Sequence, residues 1–143
     1  MGDTGLLVSL AFSENELITE EVYKNILRDR LSINQGMLYE NMISQMLACR
    51  NNELYFYSHC SEQLHKNDME IDFLLSNKSK TNLKVFPIEV KSSKNYTTTS
   101  YARFKARFGK RIGTSYIIHP KSLAISQNEV RLPVYMTPFL SFE

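Results

Sequence analysis

Three charged residues sit where a chain rich in apolar residues has to explain them: Asp72 between Ile71 and Phe73, and Glu89 and Lys91 at the end of Lys84-Val85-Phe86-Pro87-Ile88-Glu89-Val90-Lys91. The second stretch has the β-branched and aromatic content of a strand and stops at Ser92-Ser93. Alternation along a strand sends Phe86, Ile88 and Val90 into a core and leaves Glu89 and Lys91 side by side on the other face. An acid and a base held on a rigid element can grip a metal ion or a phosphate.

The segment Met69 to Ser76 has the same character. Strict alternation puts Met69, Ile71, Phe73 and Leu75 on one face and Glu70, Asp72 and Leu74 on the other. The connector Asn77 to Asn82 is polar and suits a hairpin loop. Paired as neighbours, the two strands bring Asp72 beside Glu89 with Lys91 at the rim. Two carboxylates and a lysine are the equipment of metal-dependent phosphodiester hydrolysis. The acids would hold Mg²⁺ or Mn²⁺, and the lysine would orient a water or steady developing charge. The plainer reading is a cross-strand ion pair, worth ~0–1 kcal/mol if exposed. Pro87 weighs against an interior strand, because proline lacks the donor that a central ladder uses; a bulge or an unpaired position before Ile88 would accommodate it.

Positioning these groups takes an α/β frame. Met37 to Arg50 reads as a helix whose broad apolar face is Leu38, Tyr39, Met42, Ile43, Met46, Leu47 and Cys49. Glu40 falls at the edge of that stripe, either as a solvated residue near the helix start or as a third carboxylate leaning over the sheet. Glu20 to Arg30 reads as a shorter amphipathic helix after a polar turn at Ser13 to Glu16, with Leu31 to Gln35 as a connector. Glu53 to Ser58 is a strand by aromatic content, and Cys60 to Asp68 a polar loop. Thr114 to His119 and Leu132 to Met136 are the remaining strands, the last ended by Pro138. Ser100 to Lys110 reads as a helix with Tyr101, Phe104 and Phe108 inward.

Charge is distributed unevenly. From Val90 to Asn128 there is no acidic residue, while Lys91, Lys94, Arg103, Lys105, Arg107, Lys110, Arg111 and Lys121 all fall there. A solvated helix face would account for part of this. A one-sided run beginning at the candidate site also suits the phosphates of a nucleic acid, with Lys94, Arg103, Lys105, Arg107 and Lys110 as its contacts.

A chain of 143 residues with 43% hydrophobic and 22% charged residues is sized for a single soluble domain, 1–143. No apolar run reaches membrane-spanning length, and Asp3 stands where a signal peptide would carry basic residues, so a cytoplasmic protein is expected. Cys49 and Cys60 lack metal-ligand spacing and are expected to be reduced packing residues. His59, His65 and His119 show no metal-binding spacing, and His119 in an apolar strand is expected to be packed. The glycines and lysine of Phe108 to Thr114 are in the wrong order for a P-loop. The apolar segment from Leu6 leads to the expectation of a piece cut from a longer chain.

The succession Asp3-Thr4-Gly5-Leu6, Gly36-Met37-Leu38-Tyr39-Glu40-Asn41, Glu70-Ile71-Asp72-Phe73, Pro87-Ile88-Glu89-Val90-Lys91 and Leu132-Pro133-Val134-Tyr135 resembles one bacterial and archaeal family. This is the uncharacterised domain found C-terminal to an AAA-type ATPase module, with a fold like that of PD-(D/E)XK nucleases. The resemblance implies a restriction-endonuclease-like fold, a central mixed sheet of about four or five strands with helices on both sides. It also implies an ATPase module earlier in the full-length chain. Matched to the PD-(D/E)XK pattern, Glu40 is the acid of the first helix, Asp72 the aspartate of the second core strand, and Glu89 and Lys91 the acid and lysine of the third. Glu40, Asp72 and Glu89 would then be metal ligands, Glu40 through a second metal or a metal-bound water, and Lys91 would position the nucleophile. A catalytically silent module that binds nucleic acid or protein and regulates the ATPase is the alternative. A structural dimerisation domain is a third reading.

Overall fold

The computed structural model describes residues 35–61, 66–77 and 83–142. The expected turn at Ser13 to Glu16, the helix from Glu20 to Arg30 and most of the 77–82 connector lie outside the described residues. Helix α1 (Gln35–Ala48) is rich in Met, Leu and Gln, which favour helix, with apolar residues three and four apart. It includes Gln35 and Gly36, which the sequence had suggested as a connector. Ile43 and Leu47 are fully buried, but Met37 is 40% exposed and Cys49 lies on the surface past the helix end. The turn that follows the helix ends at Asn51, whose φ of 57° is left-handed and suits asparagine. The Asn52 side chain donates to the Leu47 carbonyl at 3.0 Å, so that end carbonyl is satisfied.

The strands are β1 (Tyr55–Ser61), β2 (Lys66–Ser76), β3 (Val85–Val90), β4 (Ser115–His119), β5 (Ala124–Ser126) and β6 (Glu129–Pro133). They form one mixed sheet of six strands in the order β1-β2-β3-β4-β6-β5, one or two more than expected. The first three run antiparallel; β3, β4 and β6 run parallel; β5 returns antiparallel on the edge. Helix α2 (Thr99–Phe108) makes the crossover that a parallel β3–β4 pair requires.

Each helix covers its own core. On the α1 side, Ile43 and Leu47 pack with Leu75, Phe86, Ile88, Val90, Tyr116, Ile118 and Leu132. On the α2 side, Tyr101 and Phe104 pack with Met69 and Ile71, and Tyr57, Leu74, Phe108 and Ile112 close around them. Tyr57 meets the Phe104 and Phe108 rings edge-on at 5.2 and 5.6 Å, pinning α2 to β1 and β2.

Several expectations are corrected here. Pro87 is buried in an interior strand, paired with Leu74 on β2. The Val85 carbonyl accepts from Gly113 N–H and the Lys91 N–H donates to Ile118, so odd-numbered residues of β3 direct their main chain toward β4. The regular β3–β4 ladder begins only at Ile88, one residue after Pro87, so no rung loses its donor. Part of the expected loop from Cys60 to Asp68 belongs to β1 and β2. The final strand is shifted: β6 starts at Glu129, where Val130 and Leu132 reach the α1-side core, and ends at Pro133. Residues Val134–Phe139 coil into a 3-10 helix that contains Pro138. Strand β5 was not anticipated. Both cysteines are exposed rather than packed.

Candidate active site

Strict alternation fails on β2. Met69 and Ile71 face α2, as does Leu74, whereas Phe73 and Leu75 pack on the α1 side. The change of face coincides with a register shift against β1: Tyr57 pairs with Ile71 and Tyr55 with Leu74, so two residues of β2, Asp72 and Phe73, oppose the single residue Phe56. A β-bulge of this kind re-aims side chains within an otherwise regular strand. Asp72 is one of its two residues.

Across from the bulge, Phe73 pairs with Ile88 as the last rung of the β2–β3 ladder, and Asp72 follows it, its charge felt at Glu89 on the neighbouring strand. Asp72 Oδ2 accepts the Val90 N–H at 2.6 Å, taking over where the main-chain pairing ends. Burial pushes the Asp72 carboxyl up, with the Val90 hydrogen bond and Lys91 pulling it back and Glu70 adding to the rise.

Glu89 is 5% exposed. Its Oε1 accepts from Lys91 Nζ at 2.6 Å, and its Oε2 is buried with no hydrogen-bond partner. Desolvation raises this carboxyl to about 7, against the lowering effect of Lys91; Asp72 and Glu70 raise it further. Lys91 is half-buried, and its main chain is tied to β4 by the bond to the Ile118 carbonyl at 2.8 Å.

Glu40 approaches from α1. Its side chain is exposed, yet its carboxyl is raised, first by desolvation and then by the charges of Asp72 and Glu70, with Lys91 opposing. The four residues singled out in the sequence therefore share one electrostatic neighbourhood. Glu70 belongs to it too. Sequence reasoning left it out of the site, although its position two residues before Asp72 on a strand was the available signal.

Among the described residues, no three or more His, Cys, Asp or Glu side chains are grouped so as to hold a metal ion. Glu40, Asp72 and Glu89 offer oxygen donors only, each carboxyl is raised, and Glu89 keeps an orphaned buried oxygen. Mg²⁺ takes as few as one or two carboxylates, keeping waters and phosphate oxygens for the rest of its shell. Asp72 and Glu89 fit that requirement.

The basic residues divide into two places. Arg103, Lys105 and Arg107 are exposed along α2, over the part of β2 that leads into Asp72, and Lys110 follows in the 3-10 turn Gly109–Arg111. Lys94 instead lines a cleft at the ends of β4 and β6. His119 is packed as expected, its ring held between the Tyr96 hydroxyl at 2.8 Å and the Ser122 carbonyl at 3.3 Å.

Comparison with protein families finds one match, the model described as Domain of unknown function (DUF4143), over residues 35–138; such domains are commonly found with AAA ATPases. No curated protein and no solved structure matches the chain.

Proposed function

The chain belongs to the DUF4143 family, and from that premise we propose that it is a metal-dependent nuclease-like domain that hydrolyses phosphodiester bonds of nucleic acid. In this reading it is cytoplasmic and attached to an AAA-type ATPase. The observation that carries the reading is that Asp72 on β2 lies near enough to Glu89 on β3 for its charge to raise the Glu89 carboxyl, with Lys91 Nζ 2.6 Å from Glu89. The order of elements supports a restriction-endonuclease-like arrangement: a helix, three antiparallel strands, a crossover helix and a parallel strand.

Asp72 and Glu89 would hold Mg²⁺ or Mn²⁺, with Glu40 ordering water at the rim. The bound cation would polarise the phosphate and acidify a water. Glu89 has to release its proton before it can serve as a ligand, so ion binding strengthens as pH rises through about 7. Lys91 is placed to steady charge developing on the phosphate. The exposed cations of α2 would carry the flanking backbone.

The test is calorimetric titration of Mg²⁺ and Mn²⁺ into wild type and Asp72→Asn, followed by cleavage assays on DNA and RNA. Ion binding and ion-dependent cleavage in wild type alone support the proposal. The absence of both in wild type sinks it. One observation favours a second reading, a silent module that binds nucleic acid or protein and regulates the ATPase: Lys91 already occupies Glu89 Oε1, and no three-ligand group is assembled among the described residues. That module would bind its partner without a divalent ion and independently of Asp72.

A further inference from the structure

Strands β3, β4 and β6 run parallel, so their carboxyl ends share one edge of the sheet. Open α/β sheets bind ligands outside those ends. A cleft of about 560 Å³ opens there, within the usual size of a small-ligand site. Its walls include Tyr39 of α1, Lys94 after β3, Lys121 and Ser122 after β4, and Tyr135 after β6. Among the described residues, no carboxylate lines it.

The floor is braced. His119, the last residue of β4, is buried and bonds both the Tyr96 hydroxyl and the Ser122 carbonyl, which ties the segment carrying Lys94 to the loop carrying Lys121. Lys121 Nζ also lies 5.5 Å from the centre of the Tyr96 ring. Tyr135 remains 74% exposed at the cleft mouth. The cleft also adjoins the carboxylate site in the chain: Tyr39 precedes Glu40, and Lys94 lies three residues beyond Lys91.

Two aromatic rings and two cations in one concavity match the two parts of a nucleotide, a base with a π-face and a phosphate. A paired base inside a duplex offers neither face. We propose that this cleft takes one unpaired nucleotide, its base against Tyr135 and its phosphate on Lys94 and Lys121. The strand presented to Asp72 and Glu89 is then single-stranded or frayed. The proposal rests on the phosphodiesterase reading for what happens next to the cleft, but binding itself needs neither metal nor hydrolysis.

Fluorescence anisotropy in EDTA tests it, with a labelled single strand and the blunt duplex of the same sequence, each made as DNA and as RNA. Wild type should bind the single strand roughly tenfold more tightly than the duplex. Tyr135→Ala should abolish the preference and Tyr135→Phe keep it. Lys94→Ala with Lys121→Ala should weaken single-strand binding and flatten its salt dependence. Comparison of the DNA and RNA arms identifies the sugar. Equal or tighter duplex binding, or no change in Tyr135→Ala, overturns the proposal. Cleavage of duplex by wild type without single-strand preference would overturn the cleft and leave hydrolysis standing. Single-strand binding through Tyr135 with no cleavage in Mg²⁺ or Mn²⁺ would support the cleft and overturn hydrolysis.

Discussion

Asp72 Oδ2 accepts the Val90 main-chain N–H at 2.6 Å, so the carboxylate proposed as a metal ligand also finishes the β2–β3 ladder. This dual role separates two substitutions that sequence reasoning would treat alike. Asp72→Ala removes ion binding but also strands a main-chain donor, at a cost of about 1–3 kcal/mol. Asp72→Asn retains an acceptor for Val90 and loses only the charge. Urea titrations should show the alanine variant destabilised by that amount and the asparagine variant close to wild type, with calorimetric Mg²⁺ binding lost in both. Equal stability of the two variants would remove the structural half of the assignment.

Glu89 makes stability depend on pH. Its folded value of about 7 lies above the ordinary 4.5, so the folded chain holds a proton that the unfolded chain has released. Its contribution is fully present below about 4.5 and is lost as pH rises through about 7. The difference is on the order of 3 kcal/mol. In EDTA, the melting temperature should fall between pH 5 and pH 8 (roughly the titration window). Glu89→Gln should flatten this component and raise the melting temperature at the alkaline end. A wild-type profile indistinguishable from that of Glu89→Gln would contradict the buried, partnerless state of Oε2.

The antiparallel pairing of the strands that carry Asp72 and Glu89 was legible because the signals are local: an acid in an apolar strand, a polar connector, and a second strand ending in Glu-x-Lys. The bulge was not. One extra residue on β2 leaves the composition of the segment unchanged, so alternation carried Phe73 and Leu75 to the wrong face. Glu40 was ambiguous on the helical wheel, since its neighbourhood with Asp72 is set by how α1 packs across the sheet. Strand β5 is short and wholly exposed, and Gln127–Asn128 before β6 lacks the Asn-Gly or Asp-Gly signature of a tight hairpin. The cleft was beyond sequence reading altogether, because its walls come from α1 and three separate strand ends.

Phe104 is the anchor of α2. It is 4% exposed and meets the Tyr57 and Phe108 rings at 5.2 and 4.9 Å. Phe104→Ala should cost about 3–5 kcal/mol. Because α2 packs on the face away from α1, the loss should appear first as increased amide exchange in α2 and around Met69 and Ile71, with α1 less affected. Uniform loss of protection through both helices would mean that the two cores unfold as one unit.

Gly113 gives the sharpest packing prediction. Its N–H donates to the Val85 carbonyl at 2.9 Å, holding the chain that enters β4 against the start of β3. A Cβ there would stand 2.6 Å from Phe86 Cε1 and 3.1 Å from two further ring carbons. The Phe86 ring is 3% exposed and packed against Phe142, so it has little room to withdraw. Gly113→Ala should therefore destabilise by about 1–3 kcal/mol through overpacking. The reduced entropy of the unfolded chain would offset only about 0.4–1 kcal/mol of this. The paired variant Gly113→Ala with Phe86→Leu should recover part of the loss, beyond what the separate effects add up to, in denaturant titrations. Strict additivity would show that the cost of alanine at this position does not come from the Phe86 ring.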